Sequence, residues 1–369
     1  MLRVLNIMGS LQLGGLETTV MHHYRHIDRK KVQFDFLLNE APGSYYEEEA
    51  ASLGANIYRR TRRAKNPIAC QNELLCILRQ DPEIQIVHIH GEEPVMGLDA
   101  RTARKAGVKV RMTHSRSALP HIGFVKKLFR PMLLKNATHW LACSTEAGVS
   151  LYGKNAKSRV ILLNNARPLS PFFYNPAIRA EVKKELGLTT ELVLVNVGRL
   201  HVQKNQLFLL EVFAEIYKQN PSTVLLLAGD GAELQALQQR AKPLSIEQNV
   251  RFLGRCNQVE RLLQAADIFM LPSVNEGLPG SAIEAQAAGL PCLVSDTVTK
   301  ECDITQRVQF LPIDRGIGCW VQAVNNVRST LPDRDVKQTI EQSGYEIQEA
   351  ADRLQKLYFE ALEEAKEQI

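Results

Sequence analysis

Asp267-Ile268-Phe269-Met270-Leu271-Pro272-Ser273-Val274-Asn275-Glu276-Gly277-Leu278-Pro279-Gly280-Ser281-Ala282-Ile283-Glu284-Ala285-Gln286-Ala287-Ala288-Gly289-Leu290-Pro291 is the stretch that decides the fold. Its apolar run ends in a loop rich in Gly and Pro, and a run of small residues then leads to Gly289 and Pro291, a helix stop. The expected succession is strand, loop, helix. Glu276 falls in the loop, and Glu284 lies more than one turn into the helix. Pro279 suits the first helical turn, where an N–H would have no partner anyway. Free amides of that turn, with the helix dipole, attract an anion, while the two acceptor-only carboxylates take hydrogen bonds from vicinal hydroxyls. A ligand with phosphate between two polyols, such as a nucleotide sugar, has this chemistry. Two glutamates on an α/β connection are weak evidence alone, so the surroundings decide.

Upstream, the apolar run 192–197 delivers Gly198-Arg199-Leu200-His201-Val202-Gln203-Lys204 onto one loop. Two cations there can clamp a diphosphate, and their attraction grows as negative charge collects on a leaving oxygen. A buried strand near 224–228 ends in the turn Gly229-Asp230-Gly231, which supplies shape and ligand contact, and 250–254 is a further strand containing Leu253. Helices are expected over 178–186, 206–219, 258–265 and 318–328, with a late strand at 291–294. Residues 346–366, with Ala350, Leu354, Leu357, Tyr358 and Ala361 at helical spacing, form one long amphipathic helix.

The first half alternates in the same way. Strands are expected at 3–8, 32–38, 55–58, 84–89, 108–112, 138–144 and 160–163, and helices over 18–26, 45–53, 67–80, 94–106 and from Thr145. Such alternation predicts parallel, doubly wound sheets with ligands at the carboxyl ends of strands. The first loop carries Gly9, Gly14 and Gly15, which let backbone amides approach a phosphate. Their spacing is not the dinucleotide fingerprint, which argues against NAD. His114 falls just past a strand end, within reach of a phosphate oxygen or sugar hydroxyl, although a lone histidine more often has a structural role. His88 and His90 end another strand and are acceptor-side candidates of lower rank.

At 369 residues, with 45% hydrophobic and 23% charged residues, the chain suits two globular domains. Seven scattered cysteines without a Cys-x-x-Cys pair suggest neither a zinc cage nor a disulfide framework, and point to a reducing cytosol. No signal sequence or membrane span is expected. Residues 1–170 hold about 25 Lys and Arg against 14 Asp and Glu, so the front half is basic. Lys126, Lys127 and Arg130, interleaved with bulky apolar residues, suit an anionic membrane surface; a solvated helix face accounts for them equally well. No nucleic-acid module accompanies the charge. Asp333-Arg334-Asp335 follows Pro332 in an expected surface turn, away from any sheet end where a metal motif would sit.

Together these segments resemble family 4 retaining glycosyltransferases of the GT-B fold over nearly the whole chain, most of all bacterial enzymes of exopolysaccharide or capsule biosynthesis. The resemblance implies two Rossmann-like α/β domains, 1–168 for the acceptor and 169–345 for the nucleotide sugar, with 346–369 crossing back to the first. It implies transfer of a hexose from a nucleotide-diphosphate sugar, a UDP-sugar, to a saccharide or lipid-linked acceptor at the cytoplasmic face of the membrane. Retention by front-face attack, with the leaving phosphate taking the acceptor proton, needs no metal or other cofactor. Arg199 and Lys204 would hold the departing diphosphate, which Gly14 and Gly15 approach. Glu276, Gly277, Leu278 and Pro279 would meet the sugar, Glu284 the ribose, His114 the hexose, and Gly229 and Leu253 the nucleotide. The chain departs from the pattern at Asn165, where relatives have glycine, and at Arg167, where they have aspartate. Asn tolerates positive φ, so the turn can survive, but the acceptor role of that aspartate is put in question. A nucleotide-sugar epimerase on the same architecture and a noncatalytic nucleotide-sugar binder are the rival readings.

Overall fold

A computed structural model of the chain describes residues 1–117, 123, 127–189, 192–276 and 278–367. Its strands are β1 (Leu2–Ile7), β2 (Val32–Leu38), β3 (Ile57–Arg59), β4 (Ile84–Gly91), β5 (Val110–Ser115), β6 (His139–Ala142), β7 (Ile161–Leu162), β8 (Leu192–Val197), β9 (Thr223–Ala228), β10 (Val250–Gly254), β11 (Ile268–Leu271), β12 (Cys292–Ser295) and β13 (Val308–Leu311). The helices used below are α1 (Gly15–His26), α2 (Gly97–Lys105), α3 (Arg130–Asn136), α4 (Thr145–Tyr152), α5 (Gln206–Gln219), α6 (Val259–Ala265), α7 (Gly280–Ala287) and α8 (Ile347–Glu367).

The chain forms two compact units, one of Met1–Pro168 with Gly344–Ile369, the other of Leu169–Ser343. The first holds a seven-stranded sheet in the order β3-β2-β1-β4-β5-β6-β7, the second a six-stranded sheet in the order β10-β9-β8-β11-β12-β13. The pairings are parallel. Strands β8, β9, β11 and β12 are buried along their whole length, as expected of parallel strands covered on both faces. In each sheet the order reverses between the first strand and the fourth, the point at which ligands of such sheets bind.

The core of the second unit is built on Leu194, Leu225, Leu227, Ile268, Phe213 and Trp320. Fully burying one such side chain contributes about 1.5–3 kcal/mol. In the first unit α8 lies against α1, and Leu354, Tyr358 and Ala361 join Phe34 and Tyr24 in the core. Arg334, expected in a plain surface turn, instead sends a part-buried guanidinium to the carbonyls of Leu263, Gln264, Ala266 and Ala288 at 2.7–3.0 Å. It also stacks on Tyr174. Burial pushes its pKa down to about 10. Asp333 and Asp335 are exposed. No helix among the described residues is long and apolar enough to cross a membrane.

Candidate functional site

In the second unit the loops after β8 and β11 leave the point of reversal side by side and are laced together. Gln203 N(ε2) donates to Asn275 O at 2.6 Å, and Val274 N donates to Gln203 O at 2.8 Å. Buried Asn196 of β8 donates to Met270 O of β11 at 2.7 Å, and Gln206 holds the Arg199 carbonyl at 3.1 Å. This scaffold brings Lys204 and Glu276 into an ion pair, with side chains 19% and 14% exposed. Ser273 Oγ donates to Glu276 Oε1 at 3.2 Å, and Thr297 fixes the Ser273 carbonyl at 2.8 Å. Asn205, at φ +56°, turns the chain from Lys204 into α5. Arg199 is exposed on the same loop, and its guanidinium has no ion pair among the described residues.

Gly229 belongs to this loop cluster for a steric reason. Its φ is +145°, and a Cβ there would lie 2.8 Å from the Gly198 carbonyl carbon and closer still to its oxygen. Gly231, at φ +155°, meets the Leu200 carbonyl in the same way. The turn therefore packs backbone against the backbone that carries Arg199, with Leu200 N donating to Asp230 O at 2.8 Å. Leu253 is half-buried in β10, and Glu284 is half-buried at the fifth position of α7. Leu278 is half-buried before Pro279. Pro279 caps α7 rather than entering its first turn, with φ −72° and ψ 110°, and its carbonyl accepts from Ala282 N at 3.1 Å. Gly277 lies outside the described residues.

In the first unit Gly14 caps α1, which begins at Gly15, three residues before the expected start. The Glu17 carboxylate folds over Gly14, and Ser10 Oγ donates to it at 3.2 Å. An anion at this turn has to displace Glu17. His114 is not beyond a strand end. β5 continues to Ser115 because His114 and Ser115 pair with His90 and Gly91 of β4 and with Leu141 and Ala142 of β6. His114 is fully buried, so it offers no free ring nitrogen to a hexose here.

The hydrogen bonds around His114 have one direction. Leu163 O can only accept, so His114 Nε2 donates to it at 3.3 Å. The His114 Nδ1 then accepts from His88 Nε2 at 3.3 Å, and His88 Nδ1 accepts from Tyr358 of α8 at 2.7 Å. His90 Nε2 donates to Asn6 Oδ1 at 2.9 Å and its Nδ1 accepts from Arg116 Nε at 3.2 Å. Nitrogens of His88, His90 and His114 lie within 4.8 Å of one another, a spacing that suits a metal. With every ring nitrogen engaged and a guanidinium donating into the group, the arrangement is a network of neutral imidazoles. Burial, then the charge of Arg116, holds His88 and His114 well below the usual histidine range; for His90 the causes are burial, His88 and Arg116.

Asn165 does not adopt positive φ; its side chain instead brackets Arg116, accepting from the guanidinium at 3.3 Å and donating to Arg116 O at 3.2 Å. Arg167 pairs through its backbone with Glu346 at the start of the returning segment. Arg116, Gln203 and Ser273 are not singled out by the sequence, and Tyr358 is legible there only as a position on the apolar face of the last helix, since only their spatial partners reveal their roles. Of the basic patch, Lys126 lies outside the described residues and Lys127 is exposed. Arg130 is committed to the carbonyls of Ser150 and Leu151 at the end of α4, at 2.8 and 3.0 Å, and is not a free surface cation.

Residues 178–307 match the family described as "Glycosyl transferases group 1". The chain is 34% identical over 369 residues to EpsF of Bacillus subtilis (strain 168), named as a glycosyltransferase, covering 96% of each protein. It is 30% identical over 198 residues, 51% of each chain, to the UDP-Gal:alpha-D-GlcNAc-diphosphoundecaprenol alpha-1,3-galactosyltransferase of Escherichia coli. Among solved structures, Anabaena HepE in complex with UDP superposes with a TM-score of 0.71 at 16% identity, over 99% of this chain and 98% of that one. A glycosyltransferase from Rickettsia africae gives 0.79 at 14% identity, over 98% of each. These likenesses identify the paired Rossmann-like units as the GT-B fold. The chain belongs to the group 1 glycosyl transferases, and its activity is glycosyl transfer.

Proposed function

We propose that the enzyme moves a hexose from a UDP-sugar to a lipid-linked saccharide with retention at the anomeric carbon and without a metal ion, working at the cytoplasmic face of the membrane. The observation that carries the donor side is the convergence of Arg199, Lys204 and Glu276 on two cross-linked loops at the point where the second sheet reverses its order. In this reading Lys204 stays beside Glu276 until a diphosphate arrives. The ammonium then turns to the phosphates with Arg199, and Glu276 is released to accept from sugar hydroxyls. Both cations attract most strongly as the sugar–oxygen bond breaks and charge collects on the diphosphate. The leaving phosphate takes the proton of the attacking hydroxyl on the same face. Glu284 takes the ribose, Gly229 and Leu253 meet the nucleotide, and Gly277 and Leu278 serve the sugar beside Glu276. The E. coli relative, whose name carries both a UDP-sugar and a diphosphoundecaprenol acceptor, supports this donor and acceptor class. The UDP complex of HepE points to the same nucleotide.

The test is NMR of the product's anomeric configuration, with UDP-sugar and membrane-lipid acceptors, in EDTA. Expected are a retained anomer, full turnover in EDTA, and only slow hydrolysis when the donor is alone. An inverted anomer, or EDTA inactivation reversed by manganese, refutes the mechanism. A new sugar formed from donor alone favours epimerisation.

A further inference from the structure

Arg116 directly follows β5 and carries a charge that no described residue of its unit neutralises. The residue is 4% exposed. Its two side-chain acceptors, His90 Nδ1 and Asn165 Oδ1, are neutral. Among the described residues no Asp or Glu pairs with it, and residues 117–126 contain neither residue type. Taking a guanidinium out of water without an anion is unfavourable by several kcal/mol, and burial pushes its pKa down to about 10. The fold nevertheless holds it firmly. Arg116 N donates to Gly91 O at 3.1 Å, and Arg116 O accepts from Asn165 Nδ2 at 3.2 Å and from Cys143 Sγ at 3.1 Å. Nearby His23, 1% exposed, has a buried Nε2 without a hydrogen-bond partner, and its pKa falls to about 3 through burial and then the charge of Arg116. The group stands at the carboxyl end of β5. His90 ties it to β4 and to Asn6 of β1, the two strands between which this sheet reverses its order, and ligands of such sheets bind at that edge.

A buried cation with neutral partners, fixed at the ligand-binding edge, is what an oxyanion site looks like before the oxyanion arrives. We propose that Arg116, positioned by His90 and Asn165, anchors a phosphoryl or carboxylate group of the acceptor. Asn165 thereby gains a purpose where the related enzymes have glycine: it orients the guanidinium. Naming the anion as part of the acceptor rests on the transfer reading above; the anion site itself does not.

The test uses the full chain with Arg199→Gln and Lys204→Gln, so that the donor loop cannot answer. Inorganic pyrophosphate and malonate are titrated separately while unfolding of the first unit is followed by Trp140 fluorescence, with Trp320→Phe removing the other tryptophan. One of the two anions is expected to stabilise this unit in a saturable way, pyrophosphate marking a phosphoryl site and malonate a carboxylate site. Asn165→Gly should weaken the anion about tenfold, and Arg116→Gln should abolish the response, since charge-assisted bonds carry it. Should Arg116→Gln fail to fold, Arg116→Lys, which keeps the charge but not the planar fork, is expected to weaken binding by a similar factor. A response to neither anion, or an equal response after both Arg116→Lys and Asn165→Gly, overturns the proposal. Acceptor-free donor hydrolysis by the wild-type enzyme tests the transfer reading separately.

Discussion

Gly229→Ala is the sharpest perturbation the donor loops offer, because it adds one methyl group where two backbones touch. Two costs add. At φ +145° a residue with a Cβ is strained by about 1–3 kcal/mol. The new methyl also meets the Gly198 carbonyl carbon at 2.8 Å, well inside contact distance, and forcing packed atoms apart adds about 1–3 kcal/mol. A loss near 4 kcal/mol, between about 2 and 6, is expected in the second unit. Gly316→Ala separates the two contributions: φ is +80°, but a Cβ there has nothing within 4 Å, so only about 1–2 kcal/mol of backbone strain should appear. Both are measured by urea unfolding in a Trp140→Phe chain, where Trp320, fully buried in the second unit, is the only tryptophan left. Donor turnover of Gly229→Ala should fall about a hundredfold below saturation, since moving the Gly198 backbone by an ångström displaces Arg199. If Gly229→Ala costs no more than Gly316→Ala, the backbone contact is not what fixes this loop, and the reasoning fails.

The first unit should lose stability in acid. Its buried histidines have folded pKa values below the unfolded value of about 6.5, with His23 near 3 and His88, His90 and His114 well depressed. The unfolded chain therefore binds more protons below that value. The stability is intact above about pH 6.5 and falls by up to about 1.4 kcal/mol per pH unit per histidine as pH drops toward the folded values. His88→Gln should flatten the slope, and an unchanged slope followed by Trp140 would contradict this. Tyr358→Phe removes the hydroxyl that donates to His88 Nδ1 and leaves a buried acceptor unpaired, a loss of about 1–3 kcal/mol in the first unit; a midpoint within error of wild type would show that the bond does not form. Arg334→Gln gives up a guanidinium that satisfies four helix-end carbonyls, and the second unit should lose about 3 kcal/mol in the same urea assay; a loss under about 1 kcal/mol would count against that role. A double-mutant cycle of Lys204→Gln and Glu276→Gln should give a coupling of about 0.5–3 kcal/mol, and zero coupling would mean the pair is not populated in solution.

The alternation of strands and helices was legible because the central strands are mostly apolar, and the pattern needs no knowledge of tertiary partners. The donor residues were legible for another reason, as Arg199, Lys204 and Glu276 each follow an apolar strand; that β8 and β11 are neighbours is set by the order of strands in the sheet and not by their order in the chain. β13 and the helix Leu234–Ala241 escaped notice for a related reason. β13 is only partly buried, and a half-exposed run of four residues carries little periodic signal.

The change from apolar to polar residues after Met112 suggests that β5 ends there, yet it runs to Ser115. That inference fails where polar side chains satisfy one another inside the sheet. Thr113 reaches Tyr152 at 3.1 Å, His114 reaches His88 and Leu163, and Ser115 donates to Ala147 O at 2.9 Å. Each partner lies 26 or more residues away in the chain, and the donor that starts the histidine series, Tyr358, is 270 residues from His88. A buried polar group is tolerated only when its partner is present, so the strand end is decided by pairings that only the fold assembles. Arg116 is the residue for which this accounting does not close. Its neighbours accept from Nε and Nη1 but are neutral, and that imbalance of charge separates it from Arg60, similarly buried yet held at 2.8 Å by Asp99.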